Sequence, residues 1–195
     1  MLGKTHIAFA LGIGAFVAVG FSVLTNTPLS LKELNVFYGG VTLGALLPDI
    51  DEPNSTIGKK TLGISNAIKA LFGHRGLTHS ITFIVGLGIL LLVLSAFGAE
   101  MLSGIPLVSG FVKGLDDAVL EVFIFGILFG CVLHLMGDML TPSGVPLLLP
   151  FSTRNFHLTP TFLRFKTGGI WDYAVGVFSL GIFSVLNAYY FGFHF

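Results

Sequence analysis

The chain has 195 residues, of which 53% are hydrophobic and only 10% are charged. The formal net charge is zero, and the sequence has no basic stripe of the kind that binds nucleic acid. The single cysteine, Cys131, excludes an internal disulfide and a cysteine-rich zinc site. A soluble domain of this length could not bury so much apolar surface, so the composition predicts an integral membrane protein.

Five apolar stretches predict an all-α fold: a polytopic membrane helix bundle of about five spans that forms a single domain, 1–195. Each stretch is close to the ~20 residues that a helix needs to cross a bilayer. They cover residues 7–24, 31–47, 81–97, 118–140 and 171–193. A shorter apolar stretch, residues 64–72, is predicted to lie along the membrane interface as a helix.

The first apolar stretch has two interpretations. A basic residue, Lys4, followed by an apolar run is also the pattern of a secretory signal peptide. The run continues to Leu24, however, and no clear small-x-small cleavage site follows it. We therefore expect a retained first span.

Two glycine pairs predict where helices pack closely. Gly40 and Gly44 lie four residues apart in the second stretch, and Gly126 and Gly130 lie four apart in the fourth. Such small-xxx-small patterns allow helix backbones to approach each other in membranes. Four prolines in the loop 141–169 predict that regular structure is interrupted there.

The lysines and arginines are distributed unequally between the loops. With five crossings, eight of the ten basic residues lie on one side of the membrane, and only Lys32 and Lys113 lie on the other. The positive-inside rule then predicts that the N-terminus and the two long loops are cytoplasmic and that the C-terminus is outside.

This topology places the candidate metal ligands at one membrane surface. Each of them precedes or follows a predicted span on the cytoplasmic side, although the residues are scattered along the sequence. The candidates are His6, Asp49, Asp51, His74, His79, His134, Asp138 and Asp172.

Two acidic motifs contribute to this set. His134 and Asp138 are an i, i+4 pair, so both side chains share a helix face and could bind one cation. Asp49 and Asp51 follow the second span, where a divalent ion would relieve their mutual repulsion. The alternatives are that His134 packs in the bundle while Asp138 forms a cap or a salt bridge, and that Asp49 and Asp51 belong to a polar turn.

A histidine-rich motif precedes the third span. If Thr78 caps that span, His79 lies in its first turn and His74 in the preceding loop, where both could bind a metal or simply be solvated. Arg75 could hold a phosphate oxygen or extend towards lipid headgroups. His6 and Asp172 are also explained as an interfacial histidine and the N-terminal cap of the fifth span.

Four motifs resemble those of the YdjM-like family of bacterial inner-membrane proteins, which are described as metal-dependent hydrolases. They are Thr5-His6, LLPDIDEP from Leu46, HRGLTHS from His74 and HLMGDMLTPSG from His134. The family has been grouped distantly with zinc-dependent phospholipase C and P1 nuclease, which are helical enzymes with clustered His and Asp ligands. The present chain has no obvious second His-xxx-Glu pair of the kind that a full three-metal site would use.

The resemblance and the shared membrane level predict a metal-dependent hydrolase of the inner membrane. We expect metal-activated water to cleave a phosphoester of a lipid or lipid-linked substrate at the cytoplasmic interface. Mixed His and Asp ligands favour one or two Zn²⁺ ions, with Mn²⁺ or Mg²⁺ as alternatives. Asp49 or Asp51 would bridge metals or act as general base, and Arg75 would steady the phosphate. Membrane lipids are the expected partners, and nucleic acid is not.

Two other functions remain open at this stage. The metal site could be structural, in which case a closed set of four ligands is expected rather than an open position. A transporter or channel is the other alternative, but it needs ionisable or unwound positions near the membrane midplane. The middles of the third and fifth stretches contain none.

Overall fold

The computed structural model describes residues 1–61, 63–73, 75–102 and 117–194, and the regular elements in these ranges are helices. The described part contains six α-helices and no β-strand, with a single isolated antiparallel bridge between Val145 and Phe156. The predicted all-α fold is confirmed. The helices are α1 Gly3–Thr25, α2 Leu31–Gly44, α3 Ile64–Phe72, α4 Ile81–Leu102, α5 Asp117–Met139 and α6 Ile170–His194.

Three helices, not five, are both long and apolar enough to cross a membrane in the described part of the chain. They are the segments Gly3–Thr25, Ala118–Met139 and Ile170–Gly192, which lie in α1, α5 and α6. The second predicted span ends early, because α2 has only 14 residues. At 1.5 Å per residue it is about 21 Å long, which is short of the ~30 Å hydrocarbon layer. The apolar part of α4, Ile81–Phe97, is also shorter than the other three. The count of about five spans is therefore not confirmed.

The helix α2 packs against α5 through the two predicted glycine pairs. A methyl group built on Gly44 would lie 2.0 Å from the carbonyl oxygen of Ile127, and one on Gly130 would lie 2.3 Å from that of Val41. Gly40 and Gly126 approach the opposite helix in the same way. Only glycine allows backbones this close, so the pattern places α2 directly on α5. Because later residues of α2 meet later residues of α5, the two helices run in the same direction.

The helix α1 packs against α6, also in the same direction. Gly176 lies beside Thr5 near the two helix starts, and Gly12 lies against the backbone of Ser179 further along. Parallel pairing has a simple consequence. The starts of α1 and α6 lie together, and so do the ends of α2 and α5.

The start of α4 differs from the sequence-based expectation. Ser80, not Thr78, caps this helix, because its hydroxyl accepts a hydrogen bond from the backbone N–H of Phe83 at 3.2 Å. His79 consequently lies in a short 3₁₀ turn, Leu77–His79, ahead of the helix. Thr78 does not cap the helix, and its hydroxyl donates a hydrogen bond to Asp51 instead.

Candidate metal centre

Four segments bring histidine and aspartate side chains to one end of the helix bundle. His6 lies in the first turns of α1, and His134 and Asp138 lie in the last turns of α5. Asp49 belongs to the 3₁₀ turn Leu47–Asp51 after α2, and His79 precedes α4. The parallel pairing of the helices is what makes these distant residues neighbours.

His134 is fixed by the backbone of the helix on which α5 packs. Its Nδ1 lies 2.7 Å from the carbonyl oxygen of Ala45 and donates a hydrogen bond to it, which leaves Nε2 as the free ring nitrogen. The side chain is fully buried. A second partner that fixes the tautomer and orientation of an imidazole is typical of a metal-binding histidine.

Potential ligand atoms of Asp49 and His79 lie close to His134 Nε2, and Asp138 lies beside His79. His79 Nε2 is 3.4 Å from His134 Nε2. Oδ1 of Asp49 is 3.7 Å from each of these two nitrogens. Oδ2 of Asp138 is 3.8 Å from His79 Nε2. Ligands that bind Zn²⁺ tetrahedrally at about 2.0–2.2 Å are about 3.3–3.6 Å apart, so the separations among the Asp49, His79 and His134 atoms need to change by only a few tenths of an ångström.

His6 provides a further nitrogen beside this group. Its ring stacks on that of His134, and its Nε2 lies 3.2 Å from Oδ1 of Asp138. Nδ1 of His6 has no hydrogen bond to any residue that the structure describes, and Nε2 has only the contact with Asp138, although the side chain is buried. A buried ring nitrogen without a hydrogen bond costs about 1–3 kcal/mol, which a bound cation would recover. His6 is therefore a further candidate ligand beside His134 and Asp138.

The ligand atoms fall into two overlapping clusters. His6, His134 and Asp138 form one, and Asp49, His79 and His134 form the other, with all ligand atoms of a cluster within 4.8 Å of one another. Both clusters depend on His134, whose Nδ1 is occupied by Ala45. One nitrogen lone pair can bind one ion, so the donor set fits a single ion better than two.

Asp51 does not belong to either cluster and has a different position from the one expected. It lies behind His79, with Oδ2 3.4 Å from His79 Nδ1. The same oxygen accepts hydrogen bonds from the hydroxyl of Thr78 at 2.6 Å and from the backbone N–H of Arg75 at 2.9 Å. In this structure Asp51 is placed to orient His79, as the outer carboxylates of metal sites commonly do, and its assignment as a ligand stays a prediction.

The electrostatics of the 3₁₀ turns follow from these contacts. Burial alone would lower the pKa of His79, but Asp49 and Asp51 outweigh burial and raise the pKa to about 9. Burial alone would raise the pKa of Asp49, yet His79, together with His134 and His6, keeps it below its ordinary value. The carboxylates thus create a point in the protein where positive charge is favoured.

Arg75 connects the histidine motif to the end of α5. Its Nη2 lies 2.8 Å from Oδ2 of Asp138, and its Nη1 donates to the carbonyl oxygen of Gly144 at 3.3 Å. The residue has a positive φ of 58°, an uncommon conformation outside glycine. The Arg75 side chain is 20% exposed, so part of its guanidinium group is accessible. The amino group of Met1 contacts the other oxygen of Asp138.

Asp172 lies outside both clusters and acts as a local cap. Its Oδ2 accepts hydrogen bonds from the backbone N–H groups of Gly168 at 2.7 Å and Leu2 at 3.1 Å. Asp172 is the third residue of α6, so these contacts hold the backbone ahead of the helix and not its first turn, and its assignment as a ligand stays a prediction. His74 lies outside the described residues.

Three groups that support the site could not be predicted from sequence patterns. The carbonyl of Ala45 and the hydroxyl of Thr78 act through contacts that join separate segments. Gly137 allows His6 to pack on α5, because a methyl group there would lie 3.1 Å from His6 Nδ1. Its position between His134 and Asp138 is the only hint that the sequence offers.

Comparison with known proteins identifies the family of the chain. The chain matches the family described as YdjM inner membrane protein over residues 1–192. The chain belongs to the YdjM inner membrane protein family. The predicted resemblance is thereby confirmed, and membership supports an inner-membrane location. The similarity to zinc-dependent phospholipase C stays a prediction.

Individual relatives show the same relationship. The chain is 39% identical to Inner membrane protein YdjM of Escherichia coli (strain K12) over 110 residues, 55% of the chain and 46% of that relative. The YdjM of Shigella flexneri gives the same values, so the chain spans about half the length of these two proteins. The uncharacterized protein YvsG of Bacillus subtilis (strain 168) is 29% identical over 191 residues, 98% of the chain and 94% of that protein. No solved structure matches significantly.

Proposed function

We propose that this protein is a membrane-bound, metal-dependent hydrolase that cleaves a phosphoester of a lipid or lipid-linked substrate. The observation that carries the proposal is the cluster of Asp49, His79 and His134, whose ligand atoms are 3.4–3.7 Å apart, with Oδ2 of Asp138 3.8 Å from His79 Nε2. Two imidazoles and two carboxylates suit Zn²⁺ first, and Mn²⁺ or Mg²⁺ where the carboxylates dominate.

A bound divalent ion would supply Lewis-acid activation of water near neutral pH. The protein would contribute a base and a rigid frame. Asp49 is the most accessible of the four ligands, at 17% side-chain exposure against 2% or less for the others, and so it is the one best placed to accept a proton from water. His79 and His134 are held in fixed orientations by Asp51 and by the Ala45 carbonyl.

Arg75 is the side chain best placed to bind the phosphate. It already contacts Asp138, and its partial exposure leaves donors for a substrate oxygen. A planar guanidinium matches two phosphate oxygens at once. Lys59 and Lys60 are exposed in the loop that follows Asp51 and would add positive charge around the entrance.

The location of the site supports a substrate from the membrane. His134 and Asp138 lie at the end of α5 and His6 lies at the start of α1, and both helices are candidate spans, so the site would be level with the lipid headgroups. The excess of basic residues in the neighbouring loops favours the cytoplasmic face of the inner membrane, with the C-terminus outside. Lipid phosphates would then reach the site sideways from the bilayer.

A structural metal site is the second candidate, and one observation favours it. Three of the four ligands, His79, His134 and Asp138, are at most 2% exposed. A structural site is closed by its protein ligands, whereas a catalytic site keeps one position for water. Coordination by three protein ligands plus water would favour the hydrolase, and coordination by four protein ligands would favour the structural role. X-ray absorption spectroscopy on the Zn²⁺-loaded protein counts these ligands.

Metal content tests the centre itself. Purified wild-type protein in detergent should contain close to one divalent ion per chain by elemental analysis. The double variant His134→Ala, Asp138→Ala should contain almost none, while the exposed-loop variant His157→Ala should keep the wild-type amount. Equal and negligible metal in wild type and double variant would refute the metal centre.

Activity requires a separate screen. Phospholipids and lipid phosphates should be tested with and without chelator, and turnover should vanish with chelator and return with Zn²⁺. Arg75→Lys should lower kcat/KM by about 10²-fold, the usual cost of removing one transition-state donor, with metal content unchanged. Arg154→Lys, at an exposed arginine, is the matched control. A metal-loaded protein that turns over none of these substrates would favour the structural role.

A further inference from the structure

The segment between α5 and α6, residues 140–169, exposes large aromatic side chains. Phe151 is 90% exposed and Phe162 is 84% exposed. Directly after the segment, Ile170 and Trp171 are 80% and 69% exposed. Burying one such side chain contributes about 1.5–3 kcal/mol, so a surface with several of them normally has an apolar partner.

Hydrogen bonds to the ends of two helices fix this segment in place. Towards α5, the N–H of Leu158 donates to Met139 at 3.1 Å and the N–H of Phe165 donates to Leu140 at 3.2 Å. Towards the start of α4, the carbonyl of Leu147 accepts from the N–H of Ile81 at 2.9 Å. The exposed phenylalanines therefore belong to a folded element, not to a loose loop.

The charge of the segment indicates what covers it. Between residues 141 and 169 the sequence has three basic residues, Arg154, Arg164 and Lys166, and no aspartate or glutamate. Arg164 is held by its own loop, since Nε donates to the carbonyl oxygen of Thr159 at 3.0 Å. Basic residues interspersed with exposed aromatics are the composition of surfaces that bind anionic lipid.

The position of the segment agrees with this interpretation. It connects the end of one candidate span, Ala118–Met139, to the start of another, Ile170–Gly192. Its Gly144 carbonyl accepts a hydrogen bond from Arg75, so it also borders the candidate metal centre. A folded segment that connects the ends of two candidate membrane spans lies at the headgroup layer of the bilayer.

We propose that residues 141–169 form a lipid-binding surface, with Phe151 and Phe162 inserted among the acyl chains and the three basic residues on anionic headgroups. Interfacial elements of this kind reach about 5–10 Å into the boundary between headgroups and acyl chains. The surface is independent of the hydrolase proposal, since it requires neither a metal nor a reaction. It would hold the metal centre at headgroup level.

Tryptophan fluorescence in nanodiscs tests the insertion. Trp171 is the only tryptophan, so a Trp171→Phe background accepts Phe151→Trp or Phe162→Trp as a single probe. Asn155→Trp, at an exposed polar position, is the matched control. Lipids with brominated acyl chains should quench both phenylalanine-site probes several-fold more than the control, and aqueous acrylamide should quench them less.

Two results would overturn the insertion. In the first, acrylamide quenches both probes as strongly as the control and brominated lipid has no effect, which would mean that the side chains face water. In the second, neither acrylamide nor brominated lipid quenches the probes, which would mean that a second copy or another protein covers the surface. Thermal unfolding of each variant identifies any that fails to fold, and the intrinsic Trp171 of the wild type provides a measurement without substitutions.

A lipid comparison tests the charge. Quenching by brominated lipid should be stronger in phosphatidylglycerol than in phosphatidylcholine nanodiscs. The triple variant Arg154→Gln, Arg164→Gln, Lys166→Gln, made in the same probe backgrounds, should abolish this difference. Equal quenching in the two lipids with the basic residues intact would refute the preference for anionic headgroups.

Discussion

The imidazole rings of His6 and His134 stack with 3.8 Å between their centroids and 11° between their planes. This contact joins α1 to α5 and so connects the two parallel helix pairs at the candidate metal centre. Stacking alone needs only a flat ring, whereas metal binding needs a ring nitrogen. The two roles can therefore be separated by substitution.

Replacing His6 with phenylalanine keeps the stacked ring and removes both nitrogens. We expect the affinity for Zn²⁺ to fall by at least about tenfold, the lower end of the loss seen when supporting groups of metal sites are removed. The free energy of unfolding without metal should change little, because Nδ1 has no hydrogen bond to the described residues and Asp138 keeps its contacts with Arg75 and the amino group of Met1 when the Nε2 contact is lost. Competition titration with a fluorescent chelator measures the affinity. His157→Phe is the control, and an unchanged affinity in His6→Phe would make His6 a packing residue.

Asp49 and Asp51 are two residues apart but should respond differently to amidation. Asp49→Asn removes a ligand and should reduce Zn²⁺ occupancy to a small fraction of the wild-type value. Asp51→Asn leaves the ligands intact and disturbs only the orientation of His79, so the affinity should fall by about 10–100-fold with full occupancy at saturating metal. Thr78→Val, which removes a hydrogen bond to Asp51, should shift the affinity in the same direction by less. Equal losses in Asp49→Asn and Asp51→Asn would contradict the assigned roles.

Two glycines of α2 offer a matched test of its packing on α5. Gly44→Ala places a methyl group 2.0 Å from the Ile127 carbonyl oxygen and should reduce the free energy of unfolding by about 1–3 kcal/mol. Gly39→Ala, on the same helix but with nothing within 4 Å, should instead stabilise by about 0.5–1 kcal/mol. Unfolding in mixed micelles measures both. Similar effects of the two substitutions would mean that α2 and α5 are not in close contact.

Membrane orientation can be measured with single introduced cysteines. Cys131 is buried and should not react, so labelling reports the new position. Thr153→Cys is at the metal-centre end of the bundle, and Thr27→Cys is at the far end of α1. A membrane-impermeant maleimide added to intact cells should label Thr27→Cys, and it should label Thr153→Cys only after permeabilisation. The reverse pattern would place the metal centre outside.

The sequence by itself determined which residues are helical and where helices can touch. Apolar runs and their flanking turns predicted five of the helices to within a few residues, and the interfacial stretch 64–72 coincides with α3. The glycine pairs predicted the contact between α2 and α5, because glycine spacing reports backbone approach directly. The count of about five spans is not confirmed, since α2 ends at Gly44, three residues before the predicted Leu47, and the apolar part of α4 is shorter than the three candidate spans.

Only the tertiary structure decided what each polar residue contacts. The sequence treated Asp49 and Asp51 as equivalent, yet one faces the ligand cluster and the other lies behind His79. It assigned Asp172 to the metal set and Thr78 to a helix cap, and both have other partners. These differences depend on which way a side chain points from a 3₁₀ turn and on the parallel pairing of helices distant in sequence. Such contacts join residues up to 170 positions apart, so no local pattern records them.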